Sequence, residues 1–123
     1  MKPNSIYSDM TLAEKEVAEF LRKIDIWWQY EQPVYVLDDK ERPRVWTPDF
    51  YLPELGIYIE VCGSKRFGYE YREKIYKKNK ISVIFIHKFK SKKDWHYFLK
   101  KRIQEIHKNR WQIIKNRLLD NNL

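Results

Sequence analysis

Two short apolar runs near the middle of the chain each carry one carboxylate. Thr47-Pro48-Asp49-Phe50-Tyr51-Leu52 is followed, after a turn, by Gly56-Ile57-Tyr58-Ile59-Glu60-Val61-Cys62-Gly63. Pro48 biases the chain around Asp49 toward an extended conformation. In the second run Ile57, Ile59 and Val61 alternate with Tyr58, Glu60 and Cys62, so a period of two sends Glu60 and Cys62 to one face. A hairpin that sets Asp49 beside Glu60 makes a pair of hard oxygen donors. Such a pair suits Mg²⁺ or Mn²⁺, which take one or two carboxylates and fill the remaining positions with water and substrate phosphates. The plainer alternative is a loop aspartate after Pro48 and a solvated strand glutamate. Together the two acids argue against it, because neighbouring like charges repel unless a cation or hydrogen-bond donors compensate.

Several elements must position this pair. Thr11-Leu12-Ala13-Glu14 reads as a capping box that opens a helix to about Ile24. Its apolar stripe is Leu12, Val17, Phe20, Leu21 and Ile24. Trp28 to Leu37 reads as extended chain interrupted at Pro33, and residues 38–43 as a polar turn. Val45–Leu52 and Ile57–Cys62 form the central hairpin across Pro53–Gly56. Tyr69 to Asn79 has helical spacing, with Tyr71, Lys74, Ile75 and Lys78 on one side. Ile81–Ile86 is a continuous apolar strand, suited to a sheet covered on both faces. Following a helix, it implies a crossover connection and a mixed sheet. From about Lys92 to Leu119 the pattern is one long helix or two, apolar at Trp95, Leu99, Ile103, Ile106, Ile113, Ile114 and Leu118.

Composition bounds the function. A chain of 123 residues suits one domain, and a hydrophobic content of 43% with 16% aromatics supplies a core. There is no run approaching 18 apolar residues, so no membrane partner is expected. The single cysteine and the lack of an apolar signal core point to the cytoplasm. The formal charge of +8 is unevenly placed. Residues 1–87 hold 14 Lys/Arg against 14 Asp/Glu, whereas residues 88–123 hold 11 against 3. The whole excess lies in the last part of the chain and predicts a polyanion partner.

Pro48-Asp49, about ten residues, then Glu60-x-Cys62 resembles the PD-(D/E)xK nuclease superfamily, with its restriction-endonuclease-like fold. Glu14-Lys15-Glu16-Val17-Ala18-Glu19-Phe20-Leu21 resembles the family's first helix, whose glutamate lies near the metal. Residues 30–34 resemble its first strand, and residues 69–86 the helix and strand after the hairpin. The resemblance implies an α/β domain with a mixed central sheet flanked by helices. Its core would span about residues 8–87, with a basic helical extension over about 88–123, in a single domain over 1–123. It further implies an Mg²⁺-dependent endonuclease acting on DNA, with Mn²⁺ as a substitute. Asp49 and Glu60 would hold the metal, with the Val61 carbonyl completing its shell. Glu14 would contribute from the helix, unless its capping role occupies it.

One position departs from the family. The third motif normally ends in lysine, and here Cys62 stands in its place. Some members carry the lysine on the next helix, which makes Lys74 the expected replacement. Lys65 and Arg66, in the basic loop after the hairpin, and Lys100, Lys101, Lys108 and Arg110, on the C-terminal helix, are the expected phosphate contacts. Small nucleases of this kind often form homodimers to cut both strands. A catalytically inactive DNA-binding module on the same fold is the alternative that Cys62 suggests.

Overall fold

The computed structural model describes residues 6–62, 68–87 and 94–120. After a 3₁₀ turn over Ile6–Asp9, helix α1 spans Leu12–Lys23 with Thr11 as its N-cap. Six short strands follow: β1 Gln29–Tyr30, β2 Val34–Leu37, β3 Pro43–Trp46, β4 Phe50–Leu52, β5 Ile57–Cys62 and, after helix α2 (Tyr69–Lys78), β6 Val83–His87. Helix α3 is a single element over Trp95–Asp120.

The main sheet has the order β1-β4-β5-β6. β5 and β6 are parallel and joined through α2, while β1/β4 and β4/β5 are antiparallel. The expected mixed sheet with a crossover is therefore present, in a mixed α/β fold with three helices. Alternation along the strands gives each face its own core. Phe50, Leu52, Ile57, Ile59, Ile84 and Ile86 pack with Val17, Ala18 and Leu21 of α1 and Trp95 and Leu99 of α3. On the other face Cys62 and Phe85 meet Ile75 and Tyr76 of α2 together with Val34 and Val36.

The expected strand over Val45–Leu52 is instead two strands in different sheets. Pro48, without an N–H to donate, interrupts the run. β3 then pairs with β2 in a separate two-stranded ribbon, with Tyr35 opposite Val45. Asp38, at 1% exposure, anchors its turn. Its carboxylate accepts from the Lys40 and Arg42 N–H groups and from Nε of Arg42 and Arg44, at 2.8–3.1 Å. These donors, the backbone N–H of Arg42 foremost, hold its acidity well above that of a free aspartate against the opposing effect of burial.

The β4/β5 turn is held from a distance. Gly56 adopts φ +62°, where a side chain would strain the backbone. Arg110 of α3 donates to the Leu55 and Gly56 carbonyls, the latter at 2.7 Å. From Trp111 to Asp120 every residue of α3 is exposed. Among the described residues, no helix is long and apolar enough to cross a membrane.

Candidate functional site

Strand register brings the two carboxylates together. Phe50 lies opposite Ile59 and Leu52 opposite Ile57. One step further along the same register, Asp49 faces Glu60. Opposed residues in an antiparallel pair share a face, so Asp49 joins Tyr51, Tyr58, Glu60 and Cys62 on the side of α2. Asp49 Oδ2 accepts the Val61 N–H at 2.7 Å, which ties the residue to β5 although it precedes β4. The β1 register places Glu31 beside Asp49, and the Glu31 N–H donates to the Asp49 carbonyl at 2.9 Å. A row of acids, Glu31, Asp49 and Glu60, thus crosses three strands at one end of the sheet.

Burial dominates the electrostatics of this row. It pushes Asp49 up to about 6, against the pull of the Val61 hydrogen bond, with Glu14 and Glu31 adding to the rise and Arg72 opposing it. Glu60 is 6% exposed. Burial raises it to about 7, with Arg72 opposing and Asp49 adding. Both carboxylates therefore hold protons more tightly than free acids do. The Coulomb part of that rise is repulsion that a bound cation would relieve.

Among the described residues, the cation paired with Glu60 is Arg72, a residue that the sequence did not single out. Its Nε lies 3.3 Å from Glu60 Oε2, an ion-pair distance without hydrogen-bond alignment. The guanidinium donates to the Tyr76 hydroxyl at 3.3 Å, and its carbon sits 5.1 Å above the Trp46 ring. Lys74, the expected replacement for the motif lysine, is exposed. The inward face of α2 carries Arg72, Ile75 and Tyr76 instead. The expected face is rotated because burying the adjacent Ile75 and Tyr76 sets the orientation of the helix, and that orientation turns Lys74 outward. Cys62 shares Glu60's face, as expected, and is fully buried. Burial raises its thiol to about 12, so it is neither a cation nor a ready nucleophile.

Glu14 takes the capping role that the sequence weighed against a place at the metal, and its second oxygen has a different partner. Oε1 accepts the Thr11 N–H at 3.1 Å, while Thr11 Oγ1 accepts the Glu14 N–H at 3.1 Å, completing the capping box. Oε2 accepts the Tyr30 hydroxyl at 2.8 Å. Each oxygen thus has its own partner, and the buried carboxylate also acts on Asp49 through its field. Burial, then Glu14, makes Tyr30 a much weaker acid than a free tyrosine.

The expected phosphate contacts divide. Lys65 and Arg66 lie outside the described residues. Lys100, Lys101 and Lys108 are exposed on α3, with Lys100 5.8 Å from the centre of the Phe20 ring. Arg110 differs from these lysines: its guanidinium donates to the Leu55 and Gly56 carbonyls and so helps hold the β4/β5 turn. Arg72 carried only an ambiguous sequence signal, its i, i+3 and i+4 relation to Ile75 and Tyr76. Glu31 carried none, since its place depends on which strand β1 pairs with.

Among the described residues, no three acidic, histidine or cysteine side chains converge into a ready-made metal cage. The donor chemistry of Asp49 and Glu60 nevertheless fits Mg²⁺ or Mn²⁺, which needs only one or two protein carboxylates. Comparison with known proteins yields no relative: no family model, no curated protein and no solved structure matches the chain.

Proposed function

We propose that this protein is a metal-dependent endonuclease hydrolysing phosphodiester bonds in DNA, on a restriction-endonuclease-like version of the mixed α/β fold. The observation that carries the reading is the juxtaposition of Asp49 and Glu60 across β4 and β5, half-buried and buried, with Arg72 beside them. Asp49 and Glu60 would hold Mg²⁺, or Mn²⁺ in its place, and the Val61 carbonyl is the further donor on the same strand. When bound, such an ion lowers the pKa of a water molecule and polarises the scissile phosphate. The Val61 N–H orients Asp49, and the Tyr30 and Thr11 bonds hold Glu14 behind it. Arg72 takes the part of the missing motif lysine. Its planar guanidinium is permanently charged and suited to developing charge on a phosphate. Exposed Lys100, Lys101 and Lys108 supply affinity for the DNA backbone independent of sequence.

The test is incubation with supercoiled, linear and branched DNA in Mg²⁺, Mn²⁺ and EDTA. The parent cuts only with metal, and folded Asp49→Ala and Glu60→Ala variants do not cut. Full cleavage by both variants overturns the assignment. A second reading, a DNA-binding module without catalysis, rests on Cys62 in the motif position and on the Arg72–Glu60 pair, which occupies one Glu60 oxygen. DNA binding without cleavage in any of these metals favours it.

A further inference from the structure

At the C-terminal end of β6 a cavity of about 390 Å³ is lined by Ile86, His87, Asp94, Trp95, Tyr97, Phe98 and Lys101. That volume lies in the range of roughly 300–1,000 Å³ that small-ligand sites occupy. Two neighbouring turns of α3 make its character clear. Trp95 and Leu99 are buried in the core, whereas Tyr97 is 72% and Phe98 42% exposed. Large aromatic faces are thus offered to the outside next to a cation, because Lys101 stands three residues beyond Phe98 on the same side of the helix.

His87 relates the cavity wall to the carboxylate site, since it lies on the same sheet face as Glu60 and Cys62. Glu60 pairs with Phe85 and Cys62 with His87 on β6. One strand spacing sideways and two residues along put the Glu60 and His87 Cα atoms roughly 8 Å apart. His87 stacks on Phe85 at 6.4 Å and meets Tyr69 edge-on at 5.7 Å, so one aromatic series runs from the face of Glu60 to the cavity wall.

We infer that this cavity is a stacking site for one unpaired nucleobase of the strand bound at Asp49 and Glu60, with Lys101 on the adjoining phosphate. The inference rests on the nucleic-acid reading above and adds to it a substrate class: DNA with a single-stranded or unstacked segment next to the cut. Aromatic faces take any base by its π-surface, and a lysine beside them takes the backbone. Asp94 accepts a hydrogen bond from an exocyclic amine and repels phosphate, which directs the phosphate toward Lys101. A base held in a duplex is already stacked on both sides and cannot enter without being extruded, which costs a few kcal/mol.

The experiment measures binding in EDTA, where cleavage is absent by design. A single-stranded oligonucleotide carrying one 2-aminopurine is titrated with the parent, Phe98→Ala, Phe98→Leu and Lys101→Gln, all checked for folding by circular dichroism. An unlabelled duplex of the same length is the competitor. In the expected result the parent quenches 2-aminopurine and prefers the single strand. Phe98→Ala loses the quench and about 5- to 150-fold in affinity, the range for removal of one stacking aromatic. Phe98→Leu keeps the apolar bulk but not the quench. Lys101→Gln keeps the quench and lowers the log–log salt slope by about 0.7. Parent-like binding by both Phe98 variants, a preference for the duplex, or no binding of the oligonucleotide overturns the inference. Cleavage with metal is read separately. A protein that stacks the base but never cuts refutes the nuclease reading alone, and one that cuts without quenching refutes the stacking site alone.

Discussion

Replacing Asp49 by asparagine should stabilise the metal-free protein at alkaline pH. Folding moves the Asp49 carboxyl from its ordinary 3.8 to about 6, chiefly by burial. The folded state therefore retains a proton that the unfolded chain releases above about pH 4, and stability falls as pH rises through that window. Two pH units at 1.36 kcal/mol each give about 3 kcal/mol at pH 8. Water reaching the half-buried side chain reduces this to roughly 1–2 kcal/mol. Asparagine carries no charge to desolvate, and its carbonyl oxygen can still accept the Val61 N–H. Asp49→Asn should thus raise the melting temperature by about 4–8 °C at pH 8, given about 4 °C per kcal/mol, where the ranges for smaller and larger domains meet. The advantage should fade between pH 7 and pH 4. Thermal melts of both proteins at half-unit pH steps, in EDTA, provide the assay. Repetition in Mg²⁺ should raise the parent selectively, since a ligand that binds only the folded state stabilises it. An Asp49→Asn variant that melts below the parent at pH 8, or differs from it equally at every pH, would refute the reasoning.

Three further outcomes follow from the same geometry. Arg72→Ala should lower metal-dependent cleavage by about two to three orders of magnitude, the range for one preorganised electrostatic group, and Lys74→Ala by far less; single-turnover rates decide between the two residues. Deleting residues 111–123 should leave the circular dichroism of the core intact, because the buried part of α3 ends before Trp111. The loss of Lys115 and Arg117 should flatten the log–log salt slope of duplex binding by up to about 1.8, whereas truncation before Lys92 removes Trp95 and Leu99 from the core and should unfold the protein. Arg110→Ala should cost about 1–3 kcal/mol in urea melts by leaving the Leu55 and Gly56 carbonyls without their donor.

Much of this protein was legible from local pattern alone. The Thr11/Glu14 box fixed the start of α1, alternation put Glu60 and Cys62 on one face, and the apolar run before His87 required a strand covered on both sides. These are short-range properties, set by periods of 3.6 and 2 and by capping chemistry. Charge asymmetry was equally visible, because it needs no coordinates. What only the tertiary structure decided depends on which distant segments meet. Pro48 was legible as a residue favouring extended chain, but not as the break at which β3 leaves the main sheet for a ribbon organised by Asp38. The basic residues of α3 looked alike in sequence, yet Arg110 is drawn to the carbonyls of a turn 54 residues away and Lys108 remains exposed. Lys74 and Arg72 stand two positions apart on one helix. Burial of Ile75 and Tyr76 sets the helix orientation, and with it which of the two cations reaches Glu60. Sequence thus gave the donor types and their strand faces. The choice of cation, and the row of acids completed by Glu31, came from packing, because a long-range contact leaves no local pattern to read.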